Sequence, residues 1–217
     1  MSRSDILSRL NQATPSQAQG QTDSQTPLPA SFTIPYSQQP KAFSTAWEVL
    51  GGTWELHENA TAARLAFLLY LREQNIRFII AWSTSNLPLE GLGEMLQGAD
   101  IQLVSPNRRD IDPDIVVGLT SASAALAATG SLVLVPEPGQ SWLPSLLPIR
   151  HIILLPTSRL YPDLNGWRQA WVNEDKIDDI ARSLIITGPS SSNDIELHSH
   201  RGIFGPRSMH ILLIQDD

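Results

Sequence analysis

From Lys41 onward, short uninterrupted apolar runs alternate with segments whose apolar residues recur every three or four positions. The runs "IRFIIAW" (76–82), "IQLV" (101–104), "DIVVGL" (114–119), "SLVLVP" (131–136), "HIILLP" (151–156), "LIIT" (184–187) and "MHILLI" (209–214) have the length and branched-aliphatic content of strands buried on both faces. "TWELHE" (53–58) reads as a further strand. Between them, Phe43, Trp47 and Leu50 fall on one helical face that Gly51 and Gly52 terminate. Asn59 is placed to cap a helix over "ATAARLAFLLYLREQ" (60–74), which is apolar almost all round and so expected to be buried on several sides. A helix near Leu89–Gln97, a short Ala-rich helix between "DIVVGL" and "SLVLVP", and a helix from about Asn165 to Ser183 complete the pattern.

Buried strands separated by helices predict an α/β protein, a three-layer α/β/α domain around a mostly parallel sheet. Short connections leave room for "SLVLVP", "HIILLP" or the last strand to run antiparallel. Residues 1–40 read differently. Ser4 or Asp5 can cap a short helix with Ile6, Leu7 and Leu10 on its apolar edge, and a Gln-, Ser-, Thr- and Pro-rich stretch follows. That composition buries too little surface to offset its ordering entropy, which predicts an N-terminal helix and flexible arm over 1–40 and the α/β domain over 41–217.

Composition narrows the chemistry. The 217 residues are 41% hydrophobic, enough for a substantial core, and the net charge is −7 with 15 scattered Lys and Arg, so the basic footprint of a nucleic-acid binder is missing. With no cysteine, the chain can form no disulfide, thiolate nucleophile or Cys-ligated zinc or iron–sulfur centre. The N-terminus lacks the apolar core of a signal peptide and no run approaches the roughly 18 apolar residues of a membrane span, so a cytoplasmic location is expected.

Hydroxylated residues crowd three places. Thr120, Ser121 and Ser123 are expected at a strand-to-helix turn, where backbone N–H groups and the helix dipole favour an anion, although capping accounts for one hydroxyl without any ligand. Thr129-Gly130-Ser131 can bring backbone close to a ligand, or Gly130 can simply end the helix. Thr187, Gly188, Ser190 and Ser191 follow "LIIT" at a strand end, where open sheets bind ligands, or form a Ser-rich turn capped by Asn193 or Asp194. Asp194 and Glu196 share one face if extended, and can accept protons or hold a partner's Arg. Turns at the carboxyl ends of parallel strands meet on one side of a sheet, so these sets are expected to converge on one pocket for a small carboxylate or phosphate. Arg159 in "PTSRL" can bind such an anion bidentately or sit in a surface ion pair. His151 and His210 open apolar strands and read as half-buried imidazoles supporting the site. His198 and His200 alternate without a third ligand, so no metal site is expected. No phosphate-loop or dinucleotide fingerprint and no nucleophile–base pair appears.

The segments "AATGSLVL", "SLLPIRHIILLPTSRL" and "ITGPSSSNDIE…GIFGPRSMHILL", in that order, resemble the LUD-domain family, in particular its lactate utilization C branch, over roughly residues 41–215. The resemblance implies a fold like that of the sugar-isomerase and CoA-transferase group, which includes 5-formyltetrahydrofolate cyclo-ligase. It also implies a cytoplasmic subunit of a system oxidising L-lactate to pyruvate beside two partner proteins. One of those partners carries cysteine motifs for iron–sulfur clusters, so clusters are expected in the partner and none in this chain. His151, Arg159 and His210 fall within the family-like segments. Two positions depart from the family pattern: Ala128 stands where a Glu is usual, and Phe204 where a His is often found, which removes an acid–base role at either. Two other readings of the same residues are an autonomous enzyme acting on a phosphorylated, CoA-linked or folate-type substrate, and a purely structural assembly subunit.

Overall fold

The computed structural model of the chain describes residues 31–106, 115–138, 140–193 and 199–216. The expected helix near Ser4–Leu10 and the residues Asp194, Glu196 and His198 lie outside the described residues.

Helix α1 (Gln39–Val49) carries Pro40 in its first turn, where a missing N–H costs no hydrogen bond, and buries Phe43 and Trp47. It begins ahead of Lys41, and the compact unit extends back to Phe32. The Trp47 indole donates to the Thr53 carbonyl at 2.9 Å, and a Cβ on Gly52 would fall 2.2 Å from its ring. The turn into β1 (Thr53–His57) therefore closes directly over the indole. Asn59 caps α2 (Ala60–Glu73) by accepting from the Ala62 N–H at 2.9 Å. Only Ala63, Phe67 and Leu71 of α2 are buried, a single stripe at four-residue spacing, while Leu65 and Leu69 are 56% and 49% exposed. The expectation of burial on several sides is thus corrected: the outer leucines face solvent.

Six parallel strands form the central sheet in the order β1-β12-β7-β4-β2-β3. They are β2 (Phe78–Ala81), β3 (Gln102–Val104), β4 (Val117–Ser121), β7 (Arg150–Pro156) and β12 (Ser208–Ile214) with β1 at one edge. Both "HIILLP" and the last strand are parallel to their neighbours. Register places Gly118, His151 and Met209 on one face and Leu119, Ile152 and His210 on the other. The first face meets α4 (Leu143–Leu146) so closely that a Cβ on Gly118 would lie 1.8 Å from the Pro144 carbonyl oxygen. The second meets Phe67 and Tyr70 of α2, so helices cover both faces, as the sequence predicts. Helix α3 (Leu92–Gly98) buries Leu92 and Leu96 beside β3.

A second, four-stranded sheet has the order β8-β5-β6-β9, from β5 (Ala124–Leu126), β6 (Ser131–Leu134), β8 (Leu160–Tyr161) and β9 (Leu184–Ile186). "SLVLVP" is antiparallel here, to both β5 and β9. The Ala-rich segment expected as a helix is strand β5. One face of this sheet, with Ala124, Leu126 and Val133, packs on Trp167 and Trp171 of α5 (Leu164–Asn173), which α6 (Ile177–Ala181) follows. Ala125, Leu132 and Leu134 on its other face join the main core. The hairpin β10 (Ser191–Asn193) and β11 (Ser199–Arg201) stands apart from both sheets. Among the described residues, no helix is long and apolar enough to cross a membrane.

Candidate functional site: a cationic cleft at the carboxyl edge

Strand alternation separates the first group of hydroxyls. Thr120 points into the α4 face, where its Oγ1 lies 2.8 Å from His151 Nε2, both side chains being fully buried. Burial pushes the His151 imidazole down to about 3, so it is neutral at ordinary pH. This pair is an interior hydrogen bond, and His151 is wholly rather than half buried. Ser121 faces the other way, at the carboxyl end of β4, and no helix follows it: the chain enters β5 directly. The helix N-terminus expected beside Thr120, Ser121 and Ser123 is therefore absent. Ser123 Oγ accepts from the Val135 N–H at 3.2 Å, joining the end of β4 to the end of β6.

The second and third groups do meet. Just beyond the Leu132–Ile186 end of the β6–β9 ladder, Ser131 Oγ lies 2.9 Å from Thr187 Oγ1, and Thr129 Oγ1 lies 2.8 Å from Ser131 Oγ. These hydroxyls satisfy one another. Gly130 adopts φ +67 in the β5–β6 turn, and the backbone it admits is that of α1: a Cβ there would fall 2.9 Å from Ala46 C and Trp47 N. Gly188, at φ +81, packs likewise against Leu50. Ser190 Oγ accepts from the Phe204 N–H at 3.2 Å and its own N–H donates to the Pro206 carbonyl, fixing the turn before β12. Ser191 stands opposite Arg201 in the hairpin. Ala128 lines an apolar groove along α1, and Phe204 is 81% exposed. His210 belongs to the α2 face, its Nδ1 2.8 Å from Thr53 Oγ1; burial lowers its pKa, with Glu55 opposing and His57 adding to the shift.

The grouping that faces open space centres on Arg159. Strand β7 ends at Pro156 and a single 3-10 turn, Thr157–Arg159, follows. Asp216, just past β12, holds this turn: one oxygen accepts from Thr157 Oγ1 and from the Ser158 N–H, both at 2.8 Å, and the other accepts from the Ser158 hydroxyl. Burial alone would raise the Asp216 pKa, but these bonds outweigh it and keep the carboxyl below its usual range. Arg159 Nη1 donates to Ser121 Oγ at 2.9 Å and to the Ala122 carbonyl at 2.8 Å. Burial lowers the guanidinium pKa, and Asp216 and Tyr161 partly restore it. No carboxylate among the described residues is in ion-pair contact with Arg159, and its Nη2 and Nε atoms have no protein acceptor there.

Arg159 forms part of the wall of a cleft of about 330 Å³ between the carboxyl edge of the central sheet and the end of α5 with α6. Trp82, Ser121 and Ser123 line it from the sheet side, and Trp171, Lys176 and Arg182 from the other. Lys176 lies 5.3 Å over the Trp171 ring and pairs with Glu174 at 2.6 Å; Arg182 pairs with Asp179 and reaches the Pro136 carbonyl. The arrangement can bind and orient an anion through the open edge of a preset guanidinium. Among the described residues, no three His, Asp or Glu side chains group closely enough to hold a metal ion. Of the residues singled out from sequence, Ser121, Ser123 and Arg159 share this cleft; Thr129, Gly130, Ser131, Thr187 and Gly188 group elsewhere, against α1. Sequence reasoning missed Trp82, Lys176, Arg182 and Asp216. Asp216 was the most findable, as a carboxylate directly after a buried strand; the two cations sit in unremarkable helical sequence.

Comparison with known proteins agrees with the architecture. Residues 58–214 match the LUD domain. The chain is 35% identical to Lactate utilization protein C of Exiguobacterium sp. over 102 residues, 46% of this chain and 44% of that protein. It is 28% identical to Lactate utilization protein C of Halalkalibacterium halodurans over 152 residues, 67% of this chain and 66% of that protein. The matched segments thus span about half to just under two thirds of these relatives. A DUF162 family protein from Deinococcus radiodurans superposes with a TM-score of 0.61 at 16% identity, covering 83% of this chain and 99% of that one, which supports the fold. With the domain match covering most of its length, the chain belongs to the LUD domain family.

Proposed function

We propose that this chain acts in lactate utilization as a cytoplasmic subunit that binds a small carboxylate at Arg159 and docks with iron–sulfur partner proteins that carry the electrons. The relatives named Lactate utilization protein C support the process. The absence of cysteine supports the division of labour, because thiolate ligation of a cluster is impossible within this sequence. The observation that carries the carboxylate site is Arg159 itself. Its Nη1 is committed to Ser121 and the Ala122 carbonyl, its turn is held by Asp216, and its Nη2–Nε edge is left as a fork that matches a carboxylate bidentately. Both acceptors of Nη1 are neutral, and the Asp216 carboxylate acts on the guanidinium through space without an ion-pair contact. In this reading Arg159 binds and orients the 2-hydroxy acid, and oxidation is completed by the partner's centres.

The test is lactate-dependent dye reduction by the system reconstituted with its partners. Omitting this chain, or supplying it as Arg159→Gln, should lower the rate at least about ten-fold, the low end expected for losing a charge-assisted bidentate contact. A rate indifferent to both changes refutes the reading.

A further inference from the structure

One carboxylate on Arg159 answers only one side of the cleft. Lys176 and Arg182 approach from the opposite wall, so three cations line the space against two carboxylates, Glu137 and Asp179, in a chain whose net charge is −7. The cleft's volume of about 330 Å³ equals roughly eleven water volumes at about 30 Å³ each, well beyond the three carbons and three oxygens of lactate. The far cations are also available. Lys176 and Arg182 are each 45% exposed, and their partners Glu174 and Asp179 are 52% and 33% exposed, so these pairs exchange for a ligand at little cost. Arg159, by contrast, is fixed in the opposite wall.

We propose that the cleft takes a two-headed anion: a 2-hydroxy acid whose carboxylate sits on Arg159 and whose second carboxylate or phosphate lies between Lys176 and Arg182. This rests on the assignment of Arg159 as the carboxylate anchor. Trp82 and Trp171 border the space between the two ends and suit the carbon chain that joins them.

The test is calorimetric titration of the full chain at low salt with three probes: L-lactate, L-malate, which is lactate carrying a second carboxylate on its methyl carbon, and 3-phosphoglycerate. At least one two-headed probe should bind about ten-fold or more tightly than lactate, malate alone marking a second carboxylate subsite and phosphoglycerate alone a phosphate subsite. Arg182→Gln and Lys176→Met should each weaken the favoured two-headed probe at least about three-fold more than they weaken lactate. Equal affinity for all three probes, or equal loss for one- and two-headed probes in both variants, overturns the proposal. If lactate binding depends on Arg159 yet the second head adds nothing, this inference falls and the anchor stands. If Arg159→Gln leaves every affinity unchanged, or no probe binds, both fall.

Discussion

Replacing Gly118 by valine should leave little folded protein. Gly118 lies in β4, paired on one side with β7 and on the other with β2, so the strand cannot shift without breaking two ladders. A Cβ there would stand 1.8 Å from the Pro144 carbonyl oxygen and 2.9 Å from both Pro144 C and Pro148 Cγ. Two of these are backbone atoms and the third is in a proline ring, so no rotamer change relieves the overlap. Helix α4 would have to leave the sheet, uncovering Thr120 and His151. Overpacking a core typically costs 1–3 kcal/mol, and a contact this short belongs at or above the top of that range, against a total stability of roughly 5–15 kcal/mol. Even Gly118→Ala should lose about 3 kcal/mol in urea denaturation. An alanine variant as stable as the parent would contradict this packing. The consequence reaches the cleft, because β4 also carries Ser121, which orients Arg159.

The second large effect is on acid stability. His151 is neutral in the folded chain down to about pH 3, whereas in the unfolded chain it takes up a proton near its ordinary value of 6.5. Above that value neither state is protonated and the site makes no pH-dependent contribution. Below it the unfolded chain alone binds the proton, so stability present above pH 6.5 is lost as pH falls, at about 1.4 kcal/mol per pH unit until the folded value is reached. Nδ1 of His151 has no partner among the described residues, so a proton there would be unshared as well as buried. The Thr120→Val/His151→Leu double variant removes both polar partners together, so it should be near the parent in stability above pH 6.5 but free of this slope, and the more stable of the two at pH 5. Other titrating groups, His210 included, are common to both proteins and cancel in the difference. Denaturation curves at pH 7.5, 6 and 5 measure it; parallel pH dependence in the two proteins would contradict the burial of a neutral imidazole.

The central sheet was legible because its inner strands β2, β4, β7 and β12 are largely buried and therefore read as continuous apolar runs, whereas the edge strands β1 and β3 are mostly exposed. The second sheet was not, for a physical reason. Strand β5 is Ala124-Ala125-Leu126, and alanine favours helix wherever packing does not decide. Here packing decides: Ala124 and Leu126 meet Trp167 and Trp171 while Ala125 meets the main core, a period-two contact that only a strand can make. That one misreading moved the site, since a helix after Ser121 would have supplied an anion-binding N-terminus. Helix α2 erred the other way: exposed Leu65 and Leu69 imitate a buried face. Gly130 was read as a place where backbone approaches a ligand or as a helix end, and Gly188 as part of a Ser-rich turn; what packs against them is α1 and Leu50. Arg159 was visible as a candidate because it follows a strand end in a family-like segment. Its companions from α5, α6 and the residues after β12 are brought to it by topology, which no local spacing reveals.

An anion bound through the Nη2–Nε edge of Arg159 would lie at the carboxyl ends of β4 and β7. The most direct measurement is a crystal structure of the full chain grown with L-malate, compared with one of Arg159→Gln grown identically. A carboxylate is expected within hydrogen-bonding distance of Arg159 Nη2 and Nε in the first, with Nη1 still bonded to Ser121 and the Ala122 carbonyl, and no malate in the cleft of the second. Malate bound instead at the Thr129, Ser131 and Thr187 hydroxyls, or bound unchanged in the cleft of the variant, would contradict this assignment.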